Sequence, residues 1–173
     1  MAILGFPDPV NEKAARAVAG QVALAGVAVL VIAAAAGGAW LWLSALLAAG
    51  FLARVLTGPT LSPFGQVATR VIAPRLGPAK PVAGAPKRFA QGIGLAVTTA
   101  ATALMASGHP AGTVVLLVLL VAAATLECVF AFCMGCQIFA VLMRLGVIPE
   151  RICVECADVR LRAPAAAEAI ARR

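Results

Sequence analysis

Charge is scarce in this sequence. Only 12% of its 173 residues are charged and 62% are hydrophobic, whereas soluble globular domains carry about 25% charged residues. A water-facing surface cannot be built from such a composition. Tyrosine is absent, aromatic residues amount to 5%, and His109 is the one histidine. With so few rings to stack on bases, the net charge of +7 does not indicate a nucleic-acid partner. The apolar segments contain no phosphate-cradling glycine loop, no serine elbow and no histidine-rich metalloprotease helix, which disfavours hydrolase and ATPase chemistry.

Long apolar runs fill the chain instead. Asp8 and Pro9 fit an N-cap followed by proline at the first helical position. They predict a helix with Glu12, Lys13 and Arg16 in a polar prelude and a first span over 17–36. Its apolar core of about 20 residues exceeds the 7–15 of a signal-peptide core, so a retained span is expected. Gly37 and Gly38 lead to a second span, 39–55, with Trp40 and Trp42 placed to sit at a membrane interface. The third, 89–106, carries Gly92, Gly94, Thr98, Thr99 and Thr102, small residues that let helices approach closely. The fourth, 113–135, begins a run that stays apolar to Leu145 apart from Glu127, Gln137 and Arg144. As one helix this run would be about 50 Å long against a hydrocarbon core of about 30 Å. It must emerge or break, and Gly135 is the expected break.

Between Thr57 and Arg88 the chain turns rich in proline and glycine and carries five basic residues, which no spanning helix holds. Within this loop Ser62 and Pro63 resemble a cap and first turn. Phe64, Val67, Ala68, Val71 and Ile72 follow at helical spacing until Pro74. The stripe suits a short helix lying in the membrane interface or one packed on the protein itself. All fourteen lysines and arginines fall on one side of the four-span topology, and the positive-inside rule makes that side the cytoplasm, with both termini there. The expected fold class is all-α: a polytopic four-helix transmembrane bundle with an interfacial amphipathic helix in the cytosolic loop. It occupies 1–158 as one membrane domain, followed by a flexible tail over 159–173. Small-residue helix faces would permit a homo-oligomer.

Candidate chemistry is concentrated in the final third, where all five cysteines lie. Cys133-Met-Gly-Cys136 and Cys153-Val-Glu-Cys156 are separated by sixteen residues, a spacing compatible with a four-thiolate zinc or iron–sulfur site that anchors the tail and docks a partner. The same pairs suit dithiols that exchange electrons or sulfur, although a pair late in a long helix feels the negative end of its dipole, which opposes thiolate formation. Third, cysteine packs well as a small apolar residue. Glu127 lies inside the fourth span, where an ionised carboxylate costs about 2.5–3.5 kcal/mol without a partner. Arg54, Gln91 and Thr98 are the expected partners, and Glu127 would serve as a proton relay, as a base for the adjacent thiols, as part of a small transporter's path, or as a structural link.

Asp8-Pro9-Val10-Asn11-Glu12, Ser62-Pro63, Pro86-Lys87-Arg88-Phe89-Ala90-Gln91, Glu127 and Phe132-Cys133-Met134-Gly135-Cys136 together resemble the bacterial membrane family of domain of unknown function 4395, over about residues 6–157. The resemblance implies an integral protein of the bacterial plasma membrane, of unassigned activity, associated with thioredoxin-like or sulfurtransferase proteins. It favours Cys133 and Cys136 as a working pair tuned by Glu127. Cys153 and Cys156 belong less clearly to the pattern and are expected to resolve or relay.

Overall fold

In a computed structural model, residues 5–149 and 152 are described; Cys153, Cys156 and the tail lie outside them. Among the described residues the fold is all-α apart from one two-residue ladder. Four helices are long and apolar enough to cross a membrane: α1 (Glu12–Ala36), a 3-10 turn running into α2 (Gly38–Thr57, with α2 proper Leu43–Thr57), α5 (Gly84–Ala106) and α6 (Pro110–Phe130). Around the bundle α1 packs on α6, α6 on α5 and α5 on α2. The loop between α2 and α5 contains α3 (Pro63–Val67) and α4 (Ala73–Arg75), and α7 (Met134–Arg144) follows α6.

The core is made where apolar faces meet, with Val22, Val29, Leu47, Phe51 and Leu117 in one buried cluster. Outward positions stay apolar as well, and Leu24, Leu46, Val118 and Leu119 are exposed. That pattern suits surroundings of bilayer hydrocarbon better than water. α5 turns small residues towards α2. A side chain on Gly94 would collide with the Phe51 ring, Thr98 and Ala101 are fully buried, and Ser44 Oγ lies 3.0 Å from Thr102 Oγ1. Trp40 and Trp42 are exposed at the end of the bundle opposite the basic loop.

The N-terminal segment departs from expectation. The cap of α1 is Asn11, whose side chain accepts from the Lys13 N–H at 3.1 Å. Asp8 instead accepts from the Gly84 N–H at 2.9 Å, so its carboxylate meets the first turn of α5, where the helix dipole favours negative charge. A ladder pairs β1 (Val10–Asn11) with β2 (Pro81–Val82), and Lys80 forms an ion pair with Glu12 at 2.7 Å. The residues before α1 thus strap down the far end of the loop.

Ser62 does cap the loop helix, accepting from the Gly65 N–H. Pro74 does not end it at once. Proline has no N–H and crowds the carbonyl a turn earlier, so Ala68–Ile72 widens into a π turn and the helix continues through Ala73–Arg75. One face, with Ala68, is buried against α1, while Val67, Val71 and Leu76 remain exposed. The helix therefore packs on the protein through one side and offers an apolar edge on the other.

Candidate functional site

The run from Thr113 to Leu145 breaks earlier than Gly135. α6 ends at Phe130, and Ala131 adopts a left-handed conformation with φ 57°. The N–H groups of Ala131 and Phe132 turn back to the Leu126 carbonyl. Cys133 is then extended and serves as the N-cap residue of α7, its carbonyl accepting from the Gln137 N–H at 3.1 Å. Cys136 is the third residue of the new helix. The first pair thus begins α7 and does not continue α6, which reverses the electrostatic objection raised by the sequence: both thiols lie where the dipole favours an anion.

Gly135 has a different task. A Cβ there would fall 2.6 Å from Ala90 Cα, so the glycine lets the first turn of α7 rest on the backbone of α5. Phe139 adds an edge-on contact to Phe89, with ring centroids 5.5 Å apart. These contacts hold Cys133 against the start of α5, with 6% of its surface exposed, whereas Cys136 is more open.

Lys87 stands at this junction. Its ammonium donates to Glu127 Oε1 at 2.6 Å, which makes it the partner that the carboxylate requires. The expected partners are engaged elsewhere: Arg54 donates to Gln91 Oε1 at 2.8 Å, and Thr98 bonds the backbone of its own helix. Arg16, unassigned from the sequence, donates to the carbonyls of Cys128 and Val129, filling acceptors that the end of α6 leaves open.

Charge sets the two thiols apart. Cys133 is held below the ordinary thiol value, chiefly because the Cys136 thiol hydrogen-bonds to its sulfur. Lys87 and the Cys136 backbone N–H act in the same direction, against burial and Glu127. Cys136 is pushed well up, first because its proton is committed to that bond and then by burial and the neighbouring negative charge. Cys128 sits apart in α6, its sulfur against Gly20, and reads as packing. Among the described residues no group of three or more His, Cys, Asp or Glu side chains is close enough to hold a metal ion; the second pair of the expected four-thiolate site lies outside them.

A family model described as a domain of unknown function, DUF4395, matches residues 10–144, from the α1 cap to the end of α7. No curated protein and no solved structure matches the chain significantly.

Proposed function

The chain belongs to the DUF4395 family, and we propose that its Cys133–Cys136 turn makes it a thiol–disulfide exchange component of the bacterial plasma membrane. The observation that carries this reading is the helix start at Cys133, which puts two unequal thiols at the positive end of α7 beside Lys87. Such pairs favour exchange because one sulfur is a stabilised thiolate.

Exposure and acidity divide the roles. Cys136, the more open sulfur, receives the partner, and Cys133, the better thiolate, is the leaving group. Starting from a Cys133–Cys136 disulfide, a partner thiolate attacks Cys136 Sγ. The bond to Cys133 breaks, and Cys133 departs with the electron pair; a lower thiol pKa speeds that departure. The partner's second thiol then attacks its own sulfur in the mixed disulfide. Cys136 is released and takes a proton, leaving the partner oxidised. Two electrons and one proton reach this chain, which is left with Cys133 as the thiolate and Cys136 as the thiol, and the reverse reaction begins with loss of that proton from Cys136. The partner is a dithiol protein of the thioredoxin-like or sulfurtransferase kind, meeting the pair on the basic, cytoplasmic side. Glu127 offsets Lys87 and sets how far that cation favours the thiolate.

Trapping tests this. In Cys133→Ser no neighbouring thiol can displace a partner joined to Cys136, so membranes exposed to a thioredoxin-like protein that keeps one cysteine, activated as its mixed disulfide with thionitrobenzoate, should release thionitrobenzoate and accumulate a cross-linked species at Cys136. Cys136→Ser should give none. Equal trapping in both variants, or no reversible disulfide in the native chain, would remove the proposal.

A further inference from the structure

The bundle is not evenly closed. α1 and α2 scarcely touch beyond the turn that joins them, and between them runs a groove of 540 Å³, within the roughly 300–1,000 Å³ of ordinary ligand pockets. Its walls are apolar along their length, with Ala25, Val29 and Ile32 on one side and Leu43, Leu47 and Gly50 on the other. Arg54 and Ser62 close its loop end.

Arg54 is 4% exposed, and its known partners are all neutral. Nε donates to Gln91 Oε1, Nη1 donates to Ser62 Oγ at 3.2 Å, and the guanidinium stacks 4.3 Å above the Phe51 ring. Both ion pairs among the described residues are made by lysines, and no hydrogen bond among those residues uses Nη2. A buried cation without a counter-charge is costly. This one lies three residues before the end of α2 at Thr57, about 5 Å from the polar end of the span, on the side to which the basic loop belongs. A molecule that brings an anion to the mouth and an apolar chain along the walls satisfies both halves of the site.

We propose that this groove binds an anionic glycerophospholipid, with one acyl chain between α1 and α2 and its phosphate on Arg54. Arginine suits phosphate through paired N–H donors, and acidic lipids enrich the leaflet that attracts basic loops. A protein segment would instead bring backbone polar groups against apolar walls. The lipid site stands apart from the thiols and does not depend on their role.

The test is native mass spectrometry of the full chain from mild detergent micelles holding equal amounts of phosphatidylglycerol and phosphatidylethanolamine. The expected result is retention of phosphatidylglycerol in preference by about tenfold, the ratio that about 1.4 kcal/mol of differential affinity gives. Arg54→Met should bring the ratio close to one and Arg54→Lys should keep most of the preference. Ala28→Phe, which fills the groove and leaves Arg54 in place, should abolish retention of both lipids, and it carries the test even if Arg54→Met fails to accumulate. Equal retention by the native chain, an unchanged ratio in Arg54→Met, retention surviving Ala28→Phe, or a lipid-free dimer would each overturn the proposal.

Discussion

Lys87 Nζ lies 2.6 Å from Glu127 Oε1, joining the first turn of α5 to the last turn of α6. Each charge is badly placed for its own helix, since a cation at an N-terminus and an anion at a C-terminus both oppose the dipole. The pair is therefore mutually dependent, and it sits beside the thiols whose balance it adjusts.

Removing one member should be costly. Lys87→Met leaves a carboxylate unpaired at the end of α6, and a loss of about 3 kcal/mol is expected from the usual penalty for breaking a buried pair. Denaturant titration of the purified chain in detergent measures it. The double variant Lys87→Met/Glu127→Leu should recover at least half of the loss, because the uncompensated charge is gone; no recovery would contradict the pairing.

The acidity of the pair gives a pH signature. Cys133 is held below the ordinary thiol value, so its thiolate persists to lower pH than that of a free thiol and is lost only as pH falls through the lowered pKa. Alkylation of the reduced protein should accordingly proceed at Cys133 under conditions where Cys136 is still silent. Cys136→Ala removes the hydrogen-bond donor named first among the causes, and the midpoint of the Cys133 profile should move to higher pH. Mass mapping of alkylated peptides across pH settles both points; a profile unmoved by Cys136→Ala would mean that the two sulfurs do not interact.

The number of spans was legible because hydropathy over twenty residues outweighs every local detail: four long apolar helices were expected, and four are present among the described residues. Their ends were less legible. Asp8-Pro9 has the chemistry of a cap, but that carboxylate is used by α5, a contact between residues 8 and 84 that no local pattern displays. The break in the last run was expected at Gly135, yet the left-handed residue is Ala131. Alanine carries no turn signal, and the conformation costs it about 1–2 kcal/mol. Surrounding contacts impose it, among them the Arg16 bonds to Cys128 and Val129. The partner of Glu127 was sought among polar residues inside the neighbouring spans. It came from Lys87, which lies in the same stretch of sequence as Gln91 but one helical turn nearer the basic face.

Gly135 should tolerate no side chain. Gly135→Ala drives a methyl group into the Ala90 backbone and must lift α7 from α5, at a cost of about 1–3 kcal/mol. Alkylation of Cys133 should speed up as it loses cover, while the yield of the Cys133–Cys136 disulfide falls. Faster disulfide formation in this variant would mean that α5 is not what positions the pair.

Arg16 should prove structural. Arg16→Met deletes three hydrogen bonds to the end of α6 and should cost about 2 kcal/mol, in the range for bonds to charged groups. Amide exchange checks where the loss falls: residues 126–133 should exchange faster, with α2 unchanged. Uniform acceleration over the whole bundle would indicate a general loss of stability instead of an uncapped helix end.

The strap formed by the residues before α1 has a consequence for biogenesis. Its anchors at Lys80, Val82 and Gly84 are made long after Asp8 and Asn11 have left the ribosome, when α1 and α2 are already available to enter the bilayer as a hairpin. Closure therefore waits until the start of α5 is synthesised. The segment from Asp8 to Glu12 reaches its final place only once residues 80–84 are there to receive it.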